Sequence, residues 1–167
     1  MAISEVTLAS NTVASGTNNV SSLSLSPTGM AEGDWLIFFA LSVGGNISHS
    51  NTAGGLSRAH AGDIVQGNTT VGSTWKKKCG ASEAGPYTIT LSSSFRLTLA
   101  CRCYRGGDAI DIVELAQVFT GAQAQSLGIT TVTPADLGRW HLLFEGSQAL
   151  AASSVTFTQP ANYTEQH

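Results

Sequence analysis

The stretch Gly33-Asp34-Trp35-Leu36-Ile37-Phe38-Phe39-Ala40-Leu41 decides the fold, because nowhere else in the chain do so many large apolar side chains come together without a charge between them. The apolar run is bounded by Gly33-Asp34 before and Ser42-Val43-Gly44-Gly45 after. It is too short to span a bilayer and too β-branched and aromatic for a helix, so it predicts a central strand covered on both faces. Such a strand needs a layer above and a layer below, and a chain poor in helix signals supplies both as sheet. The fold expected is all-β: an antiparallel β-sandwich, jelly-roll-like, of about ten short strands, forming a single domain over residues 1–167.

Composition agrees. Charged residues are 11% of the chain and hydrophobic ones 42%, with 18 glycines and with Ser and Thr filling most remaining positions. That mix favours turns and half-exposed strands over helices. At 167 residues the chain buries roughly two thirds of its unfolded surface, enough for a core without staples. The formal charge is −3 and the pI about 5.7, and Lys76-Lys77-Lys78 is the one basic cluster. Nucleic acid is therefore not an expected partner, since it calls for a basic stripe, and no membrane partner is expected either.

Three cysteines are an odd number, and Cys101 and Cys103 stand two apart on the same side of a predicted strand. They read as free buried thiols. A soft-metal site with Cys79 would lack a second Cys pair and a histidine at finger spacing, so no metal and no cofactor is expected. Met1-Ala2-Ile3-Ser4-Glu5 has neither the basic start nor the apolar core of a signal peptide, which predicts synthesis and folding in a cytoplasm.

Along the chain, alternation predicts a first strand over 3–8, a loop from Ser10 to Asn19, and a second strand from Val20 that stops at the turn Pro27-Thr28-Gly29. The glycine-rich passage from Gly44 to Gly55 reads as a long loop. Strand candidates follow over 58–66 and 69–78 around a Gly67-Asn68 turn, the second anchored by Trp75 and ending in three solvated lysines. Tyr87, Ile89 and Leu91 alternate; then Phe95, Leu97, Leu99, Cys101 and Cys103 share one face of the clearest period-two strand. Residues 109–119 suit a short helix or extended chain and are read as irregular or edge strand. Strands are expected again over 127–133 and 138–145, where Trp140, Leu142 and Phe144 share a face, and Val155 and Phe157 complete the core.

Several of these pieces carry a resemblance. Pro27-Thr28-Gly29 followed by Gly33-Asp34-Trp35-Leu36, then Ser82-Glu83-Ala84-Gly85-Pro86-Tyr87-Thr88, then Tyr104-Arg105-Gly106-Gly107-Asp108, and finally Pro160-Ala161-Asn162-Tyr163 resemble, over nearly the whole chain, a β-sandwich module of tailed-phage structural genes and prophage regions. Asn162-Tyr163 departs from the Gly-Trp usual in that group, and Gly107 is an inserted glycine. The resemblance implies a virion part rather than a catalyst, made in a bacterial host and carried on the virion surface.

Chemistry finds no footing in the sequence. His49, His60, His141 and His167 are scattered and none adjoins a nucleophile signature. Asp108, Asp111 and Glu114 could pair as catalytic carboxylates or ligate calcium, but beside Gly106-Gly107 they read as an Asx-stabilised turn. The glycine pairs do not lead into a helix that could meet a phosphate. The chain is expected not to be an enzyme. Two roles of different class remain. The first is a capsid decoration or cement protein that binds the shell, or another capsid or tail protein, as a homo-oligomer, with a trimer favoured. The second is an adhesin that stacks exposed rings on a host-surface glycan. The contact residues expected for either are Trp75, Tyr104, Arg105 and Tyr163.

Overall fold

The computed structural model describes residues 4–106, apart from 10–12, 17, 45–46, 60–61 and 67–69. The expectations for 109–119, 127–133 and 138–145, the Gly67-Asn68 turn, and Asp108, Asp111, Glu114, Tyr163, His60, His141 and His167 lie outside the described residues.

The described chain is all-β, without a helix. Its strands are β1 (Ser4–Val6), β2 (Val13–Ser15), β3 (Val20–Leu25), β4 (Trp35–Val43), β5 (His49–Ala53), β6 (Ser57–Arg58), β7 (Ile64–Gln66), β8 (Thr70–Lys78) and β9 (Tyr87–Arg105). They form one open, antiparallel, nine-stranded sheet with β9 as its spine. The N-terminal strands zip along β9 in order: Val6 opposite Cys103, Val13 opposite Ala100, Leu25 opposite Tyr87. On the other side β4 pairs with the C-terminal half of β9 and β5 with the N-terminal half. β8 adds to β4, and β6 and β7 add to β8.

Two contacts fix the shape. Phe38 stands opposite Cys101 in the ladder, and Tyr87 lies fourteen residues before Cys101 on the same strand. A straight strand would separate them by about 46 Å, yet the Phe38 and Tyr87 ring centroids are 5.0 Å apart. β9 must therefore bend, and the register shows where: Leu91 to Ser94 stand against Ser21 alone, a bulge in which Ser92, Ser93 and Ser94 are exposed. The sheet doubles over and closes one core, to which β4 gives Leu36, Phe38 and Ala40, β8 gives Val71 and Trp75, and the two halves of β9 give Tyr87, Ile89 and Leu91 and then Leu97, Leu99, Cys101 and Cys103. Burying each large side chain of this set stabilises the fold by about 1.5–3 kcal/mol.

The central strand lies where the apolar run placed it, between β8 and β9. Its inward residues Leu36, Phe38 and Ala40 are fully buried, as is Ile37 on the opposite face, while Trp35, Phe39, Leu41 and Val43 are half-buried. Other expectations are corrected. Within the predicted loop between Gly44 and Gly55 lies β5, and within the one from Ser10 to Asn19 lies β2. The two strands predicted around Leu91 and Phe95 are one strand of 19 residues. Lys77 is not simply solvated: its Nζ meets Glu83 Oε1 at 2.7 Å and donates to Gly54 O at 2.7 Å.

Candidate functional site

Beneath the fold of the sheet lies a polar centre built around His49. β5 turns His49 inward, β4 brings Ser42, and β8 brings Ser73 and Trp75; Ser42, His49 and Ser73 are at most 3% exposed. His49 Nδ1 lies 2.6 Å from Ser73 Oγ, and Nε2 lies 2.7 Å from Ser42 Oγ. Trp75 Nε1–H donates to Ser73 Oγ at 2.8 Å, and Ser42 Oγ donates to Val71 O at 3.4 Å. One arrangement of protons satisfies every group: Ser73 O–H donates to Nδ1, and Nε2–H donates to Ser42. Asp63 Oδ2 accepts the His49 backbone N–H at 3.1 Å, and Asp63 Oδ1 accepts from Arg58 Nη1 at 2.6 Å. Arg58 also donates to His49 O, and its guanidinium carbon lies 4.4 Å from the Trp75 ring centroid. Burial holds the imidazole pKa below 6.5; Asp63 opposes that and the Arg58 charge reinforces it. With both ring nitrogens engaged and no exposed face, His49 braces β5 against β4 and β8.

Two further pegs join the motifs read from sequence. Asp34, fully buried, takes two hydrogen bonds from Arg105, Nε to Oδ1 at 2.7 Å and Nη2 to Oδ2 at 2.8 Å. It also accepts the Ala31 N–H at 2.8 Å, and its own backbone O accepts the Cys79 N–H at 2.7 Å. The Arg105 bonds, aided by Ala31 N–H, hold its carboxyl below the usual range against the opposing effect of burial. At the other corner Glu83 accepts from Tyr87 O–H at 2.8 Å and from Gly80 N–H at 3.1 Å, and pairs with Lys77. Burial alone would raise the Glu83 pKa; its bonds with Lys77, Gly80 and Tyr87 outweigh that and lower it.

The expected contact residues come apart. Trp75 is 5% exposed with one ring face under Arg58, and Tyr104 is 7% exposed, so neither presents a ring for stacking. Both point away from solvent because the pleat places them on covered faces of β8 and β9, a placement that single aromatic letters do not reveal. Arg105 is half-exposed, but its guanidinium is committed to Asp34. Tyr163 lies outside the described residues. Cys79, Cys101 and Cys103 are free and buried, with burial pushing Cys79 up to about 11 and Cys103 up to about 12. Among the described residues no three His, Cys, Asp or Glu side chains are grouped to hold a metal, and no helix is long and apolar enough to cross a membrane.

What the fold does present is a strip of hydroxyls. On the outward face of the folded-over half, Ser22 and Ser24 of β3, Thr88 and Thr90 of β9, and Ser50 and Thr52 of β5 lie side by side. Ser24 and Thr88 hydroxyls are 2.8 Å apart, Thr52 and Thr90 2.9 Å, and Ser50 Oγ donates to Thr90 O at 3.4 Å. None of the six is charged. The sequence predicts strands around Val20 and Tyr87 but a loop from Gly44 to Gly55, so it does not show the three rows as neighbours, and aromatics stand as the expected contacts instead; the signal available was the Ser-x-Ser, Ser-x-Thr and Thr-x-Thr spacing. Next to the strip's end, a shallow groove of about 250 Å³ runs between 26–30 and 83–85. Comparison with known protein families, characterised proteins and solved structures finds no match to this chain.

Proposed function

We infer that the chain is a non-enzymatic virion structural protein of a tailed phage, a decoration or cement protein that binds the assembled shell and stabilises it, folding as a jelly-roll-like β-sandwich whose two layers are the halves of the doubled sheet. The observation that carries this reading is the uncharged hydroxyl strip of β3, β9 and β5. Each hydroxyl serves as donor or acceptor as a partner demands, and covering hydroxyls needs far less compensation than covering charges. The His49 centre, which braces β5, and the Glu83–Tyr87 peg at the start of β9 hold two of the strip's three strands in place, which limits the entropy lost on docking. Oligomerisation, as a trimer, would multiply such contacts on a symmetric particle, and binding to the folded state alone stabilises by mass action.

The test is addition of purified protein to undecorated particles. Expected are saturable co-sedimentation and raised resistance of the particle to heat or chelation. Charge-neutral but bulky Thr88→Gln and Thr90→Gln changes should weaken binding without altering the fold. The second reading, an adhesin for host-surface glycans, is favoured if the protein ignores particles and is retained on a host polysaccharide column.

A further inference from the structure

The face of β4 turned away from the core carries Trp35, Ile37, Phe39, Leu41 and Val43, an unbroken apolar stripe. The register sets Lys76 and Lys78 of β8 on one side of it, and Arg96 and Arg102 of β9 on the other, all on that same face. None of the five apolar residues belongs to the core cluster inside the doubled sheet, yet Ile37 is fully buried and the others are half-buried. Trp35, Phe39, Thr70, Lys76, Arg102 and Tyr104, which all lie on this face, each have interaction partners. A stripe of this extent is not left bare on a soluble domain.

We propose that this face is the docking site of the chain's own C-terminal segment, residues 107–167. Position favours it: β9 ends at Arg105, and Tyr104 stands directly opposite Trp35, so the 61 residues after Gly106 set out from the end of the stripe. Charge favours it: the segment carries six acidic side chains and one arginine, net −5, whereas residues 1–106 carry five acidic and seven basic ones, net +2, and four of those seven flank the stripe, Arg102, which has Glu5 3.6 Å away, together with Lys76, Lys78 and Arg96. Sequence favours it: Gly138-Arg139-Trp140-His141-Leu142-Leu143-Phe144 repeats the spacing of Gly33-Asp34-Trp35-Leu36-Ile37-Phe38-Phe39, with Trp140, Leu142 and Phe144 as the apolar complement. A second copy fits poorly, because a two-fold contact through this face would bring the same lysines and arginines against each other. The inference does not depend on the virion reading; it reserves this face for the chain itself and leaves the hydroxyl strip for partners.

The experiment uses the full-length protein as an equimolar mixture of ¹⁵N-labelled and unlabelled chains, treated with a zero-length carbodiimide cross-linker and read by mass spectrometry. Expected are links from Lys76 or Lys78 to acidic residues of 107–167 in products of uniform isotope content. Mixed-isotope links from these lysines would give the face to a second copy and overturn the proposal, as would the absence of any link from them to the segment. Phe39→Lys in the full chain is the second measurement. A concentration-independent drop in melting temperature on the order of 10 °C is expected, and an unchanged melting temperature would mean that the ring faces water and the segment lies elsewhere.

Discussion

Asp34 and Arg105 are 71 residues apart in sequence and joined by a two-point ion pair in which the carboxylate is fully buried and the guanidinium is half-exposed. Asp34 belongs to the Gly-Asp that opens the central strand, and Arg105 to the Tyr-Arg-Gly that ends β9. Two of the short motifs read from the sequence are thus the two halves of one peg, which pins the start of β4 to the end of the strand beside it. Glu83 and Tyr87, from a third motif, make the corresponding peg at the other end of β9. The motifs describe how a doubled sheet is fastened.

Removing Arg105 should therefore damage the fold in a pH-dependent way. Asp34 titrates below its unfolded value near 3.8, so its stabilisation is complete above that pH and is lost as pH falls through the lower folded value. In Arg105→Ala the buried carboxylate keeps Ala31 N–H but loses its counter-charge. The variant should melt well below the parent at pH 7, and the gap should close on acidification toward pH 3. Arg105→Lys should recover only part, since an ammonium does not make the two-point contact. Thermal melts from pH 3 to 7 check this, and a gap that is constant with pH would refute it.

Tyr87→Phe isolates one hydrogen bond in the core. The ring stays against Phe38, while Glu83 retains Lys77 and Gly80 N–H. A loss of about 1 kcal/mol is expected, against about 3–5 kcal/mol for Tyr87→Ala, which also empties the space under Phe38. Burial, and then the bond to Glu83, raise the phenol pKa, so Tyr87 should stay un-ionised in alkaline solution where exposed tyrosines titrate. Denaturant melts and absorbance titration measure both.

His49 makes the fold acid-sensitive at a higher pH. Its folded pKa lies below 6.5, so the unfolded chain binds the extra proton first; the stabilisation is complete above pH 6.5 and erodes as pH falls below it. The charged groups beside it, Asp63 and Arg58, are paired with each other at 2.6 Å. The parent's melting temperature should fall between pH 6.5 and 5 by more than that of His49→Gln, whose amide can still accept from Ser73 and donate to Ser42. Parallel slopes in the two proteins would show that His49 is not the sensor.

The parts of the fold legible in the sequence are those whose inward positions are apolar. The unbroken run at 35–41 announced β4 because both its faces are apolar, and the alternation from Phe95 to Cys103 announced the latter half of β9 because a pleat with one greasy face leaves a period-two trace. β5 left none: its inward residues are His49 and Asn51, made tolerable by partners far off in sequence, Ser73 for the first and Thr88 O for the second, with Leu56 N–H adding a local bond to Asn51. The continuity of β9 was hidden for the opposite reason, since Ser92, Ser93 and Ser94 interrupt the apolar alternation where the strand bulges and bends. Trp75 illustrates the limit for the site. That it anchors β8 follows from its size, but that Arg58, seventeen residues earlier, occupies its ring face is a fact of tertiary packing.

The buried thiols should be silent in the folded protein. Cys101 and Cys103 are at most 1% exposed, and burial raises both pKa values, leaving almost no thiolate at pH 8. A disulfide reagent should therefore modify Cys79, Cys101 and Cys103 only as fast as the molecule opens, and the rate should rise with denaturant in step with unfolding. Immediate reaction of three thiols in native buffer would contradict their placement in the core.

Two glycines separate backbone strain from packing. Gly33 and Gly54 both have positive φ, +85° and +92°, a region that penalises any other residue by about 1–2 kcal/mol. A Cβ on Gly33 would meet nothing within 4 Å, so Gly33→Ala should show that penalty and little more. A Cβ on Gly54 would lie 3.0 Å from Tyr87 Cα and 3.1 Å from Pro86 O, backbone atoms held by the β3–β9–β5 ladder and unable to yield, and it would also run into the Tyr87 ring. Overpacking of this kind adds about 1–3 kcal/mol. Gly54→Ala should thus be the more damaging by a margin resolved in denaturant melts, and Tyr87→Phe should not relieve it, because the clash is with the main chain and the ring rather than the hydroxyl. Equal losses in the two alanine variants would mean that the turn after β5 does not press on Tyr87.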